Sequence, residues 1–219
     1  MLPLDVGSDE SVRKCVGHVL DAAGSLDVLV NNAGYLLAGG VEEATIAEAK
    51  AQFETNFFGV ARMAKAVLPV MRKQKAGHIL TISSLAGIVP VPFWAYYNAS
   101  KFAVEGLIET LRYEVKPFDI RVSLVEPGAI KTPFFARPPA ASIPEYSRWR
   151  ERALNAMKKF EDKAPGPELV ADRVAKIVAQ KNPSLRNVVT MDATLFCFLR
   201  WLLPARWNEM GVRKGFKLD

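Results

Sequence analysis

The stretch HILTISSLAGIVPVPFWAYYNASKFAVEGLIETLRYEVKPFDIRVSLVEPG, from His78 to Gly128, decides the fold of this chain. It begins with the apolar and β-branched run His78-Ile79-Leu80-Thr81-Ile82-Ser83, which reads as a strand, and passes through a loop containing Pro90 and Pro92. A helical pattern then runs from Ala95 to Val115, and a second strand, Ile120-Arg121-Val122-Ser123-Leu124-Val125, closes at Pro127-Gly128. Two strands joined by a helix this long are a parallel pair, because antiparallel neighbours need only a short turn.

The same alternation extends outward. Upstream lie a helix from Ser8 to Ala23 with Ser8 as N-cap and Gly24 past its end, a doubly covered strand Asp27-Val28-Leu29-Val30, and a helical pattern from Thr45 to Lys75. Downstream come a long irregular stretch reaching Pro165 and Pro167, a helix from Glu168 to Gln180, a short strand at Val188-Val189 and a final apolar helix. Repeated βαβ units predict an α/β fold with a parallel sheet. The chain starts on Leu2-Pro3-Leu4-Asp5-Val6, which reads as the end of a strand, and no Gly-rich strand-to-helix turn for a pyrophosphate is found.

The 219 residues, half of them apolar and 24% charged, suit one large core. Disordered, collagenous and solenoid classes are excluded by near-average Gly and Pro and by the lack of a repeat. Cys15 and Cys197 are too few and too distant for a disulfide framework, and His18 and His78 supply neither a zinc set nor a His-dependent triad, so no metal is expected. The N-terminus does not read as a signal peptide, which predicts a cytoplasmic protein. The apolar run from Leu195 to Leu203 is broken by Arg200 and too short to span a bilayer; it suits core or interface packing, the covering of a pocket, a dimer contact or peripheral membrane contact. Residues 1 to 111 carry nine basic against eleven acidic side chains, and residues 112 to 219 twenty against twelve. The basic excess is scattered, which argues against nucleic-acid binding.

Tyr97 and Lys101 are four apart on a predicted helix, so an ammonium sits near a phenol. A cation there favours the phenolate and lowers the pKa from about 10 toward neutrality, as general acid/base work requires. Ser84 lies thirteen residues earlier, at the C-terminal end of a predicted parallel strand, where open α/β sheets place ligands. Taken alone, the pair also suits a solvated helix face, and the two serines also suit the closing of a strand.

In order and spacing, Asp5-Val6, Asn31-Asn32-Ala33-Gly34, Thr55-Asn56-Phe57-Phe58-Gly59, Ser83-Ser84, Tyr97-Asn98-Ala99-Ser100-Lys101 and Pro127-Gly128-Ala129-Ile130-Lys131-Thr132 resemble the motifs of the short-chain dehydrogenase/reductase family over nearly the whole chain. The resemblance implies a Rossmann-like three-layer fold, a parallel sheet with helices on both faces, here with the first two strands missing. It implies that Tyr97 transfers a proton, Ser84 orients the reacting oxygen, and Lys101 tunes the tyrosine and binds the nicotinamide ribose. It further implies that Asn56 holds a water that links Lys101 to solvent, that Asp5 and Val6 flank the adenine, that Asn32, Ala33, Gly34, Pro127, Gly128 and Ile130 bind the cofactor, and that Thr132 meets its nicotinamide carboxamide. Singly, these positions also suit a helix-capping Asp, a β-turn, an in-helix Asn and a loop Thr.

The implied function is an NAD(P)-dependent oxidoreductase interconverting a carbonyl and an alcohol. The residues that choose between NAD and NADP fall in the absent segment, about sixty residues long by comparison with the family. The absence predicts a single incomplete domain over 1–219, with a substrate-loop or lid region at 133–166 and a C-terminal extension at 193–219. It also predicts an exposed apolar edge at Val28 to Asn31, residues 1 to 23 without sheet neighbours, and a homodimer or homotetramer through the helices at 45–75 and 95–115. Phe93, Trp94, Phe134, Phe135, Tyr146 and Trp149 suit a small hydrophobic substrate of steroid or retinoid type, or the packing of the loop itself. The competing expectation is a truncated non-catalytic chain that acts only through dimer or partner association.

Overall fold

Ile79 and Leu80 are consecutive in sequence and both fully buried, so their strand is covered on both faces. The computed structural model describes residues 1–132 and 136–219, and builds them around that strand. The sheet order is β1 (Val28–Asn31), β3 (Gly77–Ile82), β4 (Ile120–Glu126), β6 (Arg186–Val188), all parallel. Register pairs Leu29 with Ile79, Ile79 with Val122, and Val125 with Asn187.

One face of the sheet presents Leu29, Ile79, Val122 and Leu124 to α1 (Asp9–Ala23), α3 (Gly59–Gln74) and α4 (Ala95–Val115). The other presents Leu80 and Val125 to Ile177 of α6 (Glu168–Val178). Each fully buried aliphatic side chain contributes about 1.5–3 kcal/mol. This is the expected α/β Rossmann-like arrangement with helices on both faces.

Local signals set the element ends. The Ser8 side chain accepts from the Ser11 N–H, and Gly24 closes α1 at φ 72°, a left-handed conformation that glycine adopts without strain. Thr45 and Glu48 form a reciprocal capping box at α2 (Ile46–Phe53). Between α2 and α3 the helix widens into one π-turn, Glu54–Phe58, the kind of local irregularity that often marks a functional position. Asn56 lies at its centre.

Three expectations are corrected. Leu2 to Val6 is not a strand: these residues pair with nothing among the described residues, and Leu2 and Leu4 are exposed. Residues 9–23 nonetheless keep their place, because Val12 and Val16 pack in the core beside α3. Arg62 of α3 also bonds the Val6 carbonyl at 2.6 Å and pairs with Asp9 and Glu54. The stretch taken as irregular up to Pro165 contains α5 (Pro144–Asp162), with Pro at its first turn. Its start is docked by the buried carboxylate of Glu43, which accepts from Gly40 N at 2.7 Å and Ile143 N at 2.9 Å and pairs with Arg150. The final apolar helix is two, α7 (Met191–Leu202) and α8 (Ala205–Gly215), divided at Pro204. A small parallel pair, β2 (Leu36–Leu37) with β5 (Ala136–Arg137), completes the fold.

The exposed edge expected at Val28 to Asn31 is present. Beyond β1 the sheet has no further strand among the described residues, and Val30 is 41% exposed.

Candidate active site

β3 and β4 both end at the same side of the sheet, and their following loops are tied by Leu85 N donating to Pro127 O at 2.8 Å. Ser84 leaves β3 in extended backbone and caps the single turn Leu85–Gly87, its hydroxyl accepting from Ala86 N at 3.1 Å. The loop into α4 is closed by Asn98, whose amide donates to Val91 O at 2.8 Å and accepts from Val91 N at 3.3 Å. That fixes the first turn of α4, and Trp94 packs edge-on to the Tyr97 ring at 5.9 Å. A side-chain hydrogen bond joins Ser84 to Tyr97. The three residues singled out for chemistry therefore converge: Ser84, Tyr97 and Lys101 all line one cavity.

Lys101 Nζ lies 5.8 Å from the Tyr97 ring centroid and donates to Ile82 O at 2.9 Å. Burial pushes its pKa down to about 8, against the pull of Glu105. The expected lowering of the Tyr97 phenol does not occur: burial pushes it up to about 12, and the Ser84 hydrogen bond acts in the other direction. Desolvation penalises the phenolate and the ammonium alike, so the helical spacing of a Tyr and a Lys does not by itself set the sign.

Asn56 is fully buried, and its side chain is occupied. Its amide donates to Tyr35 O at 3.0 Å and Ser100 Oγ at 3.1 Å, and its carbonyl accepts from Tyr35 N at 3.1 Å. Both amide donors are thus used in tying the turn after β1 to α4. At Gly34 a Cβ would stand 3.2 Å from Asn56 Oδ1 and 4.0 Å from Lys101 Nζ, so glycine keeps this backbone open beside the lysine.

Asn32, Gly34, Pro127, Gly128, Ile130 and Thr132 join the cavity wall. Gly128 N donates to Thr190 Oγ1 at 3.1 Å, which ties the loop after β4 to the start of α7; a Cβ at Gly128 would meet that oxygen at 2.4 Å. Ala33, Asp5 and Val6 are not part of the wall. The Asp5 carboxylate instead accepts from Gly7 N at 2.9 Å, and Val6 packs against Gly59. Of the aromatic candidates, Trp94 lines the cavity. Phe93 and Tyr146 stack edge-on at 6.5 Å, and Trp149 lies under Arg148 and Arg152. Phe134 and Phe135 lie outside the described residues.

The cavity measures about 1300 Å³, and much of its outer wall comes from Met157 and Phe160 of α5, inside the region 133–166 expected to form a substrate loop or lid, together with Val174 of α6, Leu199 of α7 and Val212 of α8. The periodic apolar positions of α5 were the signal that could have found the first two. Among the described residues no group of His, Cys, Asp and Glu is placed to hold a metal ion. No helix there is long and apolar enough to cross a membrane.

A family model described as short chain dehydrogenase matches residues 1–141. The chain belongs to the short-chain dehydrogenase/reductase family. It is 42% identical to a 3-ketodihydrosphingosine reductase of Bacteroides thetaiotaomicron over 97% of this chain and 81% of that protein. To retinol dehydrogenase 8 of Bos taurus it is 40% identical, over 92% of this chain and 67% of that one. The crystal structure of a short-chain dehydrogenase from Streptomyces avermitilis superposes with TM-score 0.80 at 32% identity, covering 98% and 78% of the two chains. A metagenomic short-chain oxidoreductase in complex with NADP matches with TM-score 0.65 at 30% identity over 85% and 71%. A short-chain dehydrogenase/reductase from Burkholderia phymatum in complex with NAD matches with TM-score 0.75 at 25% identity over 90% and 73%. The protein is thus an oxidoreductase by family, of a kind that uses NAD or NADP.

Proposed function

We propose that this short-chain dehydrogenase/reductase interconverts a carbonyl and an alcohol on an apolar substrate of steroid, retinoid or long-chain type, with Tyr97 as the proton donor and acceptor. The observation that carries the reading is the joining of Ser84, Tyr97 and Lys101 in one largely apolar cavity. The nicotinamide end of the family's cofactor fits the residues present. The bare backbone at Gly34 leaves room beside Lys101 Nζ for a ribose, and Pro127, Ile130 and Thr132 offer a wall for the nicotinamide end. When bound, that cofactor supplies or accepts the hydride.

The chain's own residues handle the proton. A phenol held near 12 is protonated at neutral pH, so in the reductive direction Tyr97 starts with the proton that the nascent alkoxide needs. Ser84 donates to the same oxygen as negative charge develops on it. The Tyr97 oxygen left behind is an anion in a dry site, and the Lys101 ammonium is the cation positioned to stabilise it. In the oxidative direction each transfer runs in reverse.

The substrate class is supported by the wall and by its relatives. Phe196 and Leu199 of α7 face the cavity, whereas Met191, Leu195, Phe198 and Leu202 recur along the exposed side of the same helix, beside Trp201 at 80% exposure. A helix apolar on both sides, next to a basic half-chain, suits a lipid surface from which an apolar substrate reaches the cavity. A homodimer or homotetramer through the helical segments at 45–75 and 95–115 is supported by the exposed Phe58, Phe102 and Tyr113.

The test is a titration with NADH and NADPH that follows quenching of tryptophan fluorescence, since Trp94 and Trp207 line the cavity. Saturation in the micromolar range, followed by turnover of retinoid, steroid or long-chain ketones, is the expected result. No binding up to millimolar cofactor would overturn the reading in favour of a chain that acts only by association.

A further inference from the structure

One turn beyond Lys101 on α4, and two beyond Tyr97, stands Glu105, which is 5% exposed. Its surroundings are crowded. A Cβ at Gly87 would meet Ser83 Oγ at 3.0 Å, Glu105 Cγ at 3.1 Å and Lys101 O at 3.2 Å, so glycine is what lets these groups meet. Arg186 of β6 uses one nitrogen, Nη1, to pair with Glu105 and to bond the fully buried Glu126 of β4 at 2.8 Å. Its other terminal nitrogen takes the half-exposed Glu109 at 2.8 Å. Both carboxyl groups are thus held on a single guanidinium nitrogen, and their remaining oxygens, Glu105 Oε1 and Glu126 Oε2, are buried.

Two carboxylates so placed do not both ionise at low cost. Burial, and then the charge of Glu105, push Glu126 up to about 7. Burial raises Glu105 as well, while Ser83, Arg186 and Glu126 favour its charged form. The groups facing this pair are Lys101 and Glu109 of α4, Ser83 after β3, Arg186 of β6 and Cys197 of α7. The Cys197 thiol is pushed up to about 11, first by burial and then by the two glutamates.

We propose that Glu105, one turn from Lys101 on α4 and clamped by Arg186 beside Glu126, is a positioning residue for the reaction: it is the internal counter-charge that keeps the buried Lys101 ammonium protonated. Glu126 sets how negative that counter-charge is. As pH rises through neutrality Glu126 loses its proton and the cluster becomes more negative, and with Glu105 opposing the effect of burial Lys101 holds its own proton to higher pH than burial alone allows. Lys101 then stays cationic where the proposed chemistry needs it. The inference rests on that reading only for its effect on turnover; the charge state of Lys101 stands apart from it.

The experiment follows the Lys101 side-chain nitrogen by NMR in protein carrying ¹⁵N-lysine, assigned with Lys101→Arg and titrated between pH 6 and pH 10. Glu105→Gln is expected to lower the Lys101 midpoint by about one unit or more, Glu105→Asp to retain most of it, and Glu126→Gln to lower it by less. The alkaline limb of kcat/KM is expected to move with the midpoint, while the exposed Glu114→Gln on the same helix leaves both unchanged. A midpoint that stays put in folded Glu105→Gln overturns the proposal. Should that variant not unfold cooperatively, Glu126→Gln decides, a lowered midpoint supporting the counter-charge and an unmoved one overturning it. A wild-type protein with no turnover but a midpoint that moves as described defeats the proposed activity and leaves this inference standing.

Discussion

The sheet-bound half of the cavity and its helical outer wall are built differently. β3, α4 and β4 carry fully buried residues along their length, among them Ile79, Leu80, Val104, Ile108, Leu124 and Val125, and hold Ser84, Tyr97 and Lys101 where these elements begin or end. On the opposite side α5 buries only Ala153, α7 only Ala193, and α8 no residue. The lesson is a division of labour. Proton-handling groups need positions accurate to fractions of an ångström and sit where burial is dense, whereas a wall that only shapes an apolar volume tolerates looser packing.

The contrast can be broken at several points. Tyr97→Phe removes the proton while keeping the ring against Trp94, and turnover is expected to fall by about 10²- to 10⁴-fold with cofactor affinity little changed; near-normal turnover would remove Tyr97 from the chemistry. Ile108→Ala in the dense half is expected to cost about 2–5 kcal/mol in urea unfolding. Leu199→Ala in the outer wall should lower stability by less than about 1 kcal/mol and act mainly by raising KM for apolar substrates. Equal losses of stability from the two would show that the wall is as tightly packed as the sheet.

A smaller effect is expected at the exposed apolar side of α7. Replacing Leu195 and Trp201 together by Ser should weaken co-sedimentation with vesicles of one-third phosphatidylserine several-fold, with no change in melting temperature. Unchanged sedimentation would assign those side chains to another contact.

The smallest effect concerns pH. His78 is fully inside the dense half, bonded through Nε2 to Ser123 Oγ at 3.0 Å, and burial, helped by Arg121 and Arg112, pushes it down to about 4. The unfolded chain takes up a proton near 6.5 that the folded chain refuses, so this residue lowers stability as pH falls from about 6.5 to 4. Glu126 works in the opposite sense. Its raised pKa means the folded chain keeps a proton that the unfolded chain loses near 4.5, so stability declines as pH rises toward 7. Urea unfolding of His78→Gln and Glu126→Gln at pH 5 and pH 7 separates the two: the first should flatten the acid-side loss, the second the decline toward neutrality.

The legibility of the sequence follows the range of the interactions involved. Ser8 with Gly24, and the 21 residues of α4, were readable because caps and helical periodicity act within a few residues. Helix α5 escaped because most of its positions are polar and its docking depends on Glu43, 100 residues from Ile143. The strand expected at Leu2 to Val6 failed for a related reason: extended sequence becomes strand only when a neighbour pairs with it, and none does among the described residues. The sharing of one cavity by Ser84, Tyr97 and Lys101 was anticipated from motif order, whereas the cluster of Glu105, Glu126 and Arg186 left no local trace.

The sequence by itself determined the alternation of strands and helices, the parallel sheet, and which residues resemble those of an oxidoreductase, because periodicity, capping and motif spacing are local properties of the chain. Only the tertiary structure decided that Asn56 is spent on the Tyr35 turn, that the outer wall comes from four late helices, and that Glu105 and Glu126 meet on Arg186. It also decided the sign of the Tyr97 shift. Spacing brings a cation near the phenol, but the free energy of ionising it depends on how much water the surrounding fold removes, and that is set by every element packed around the site.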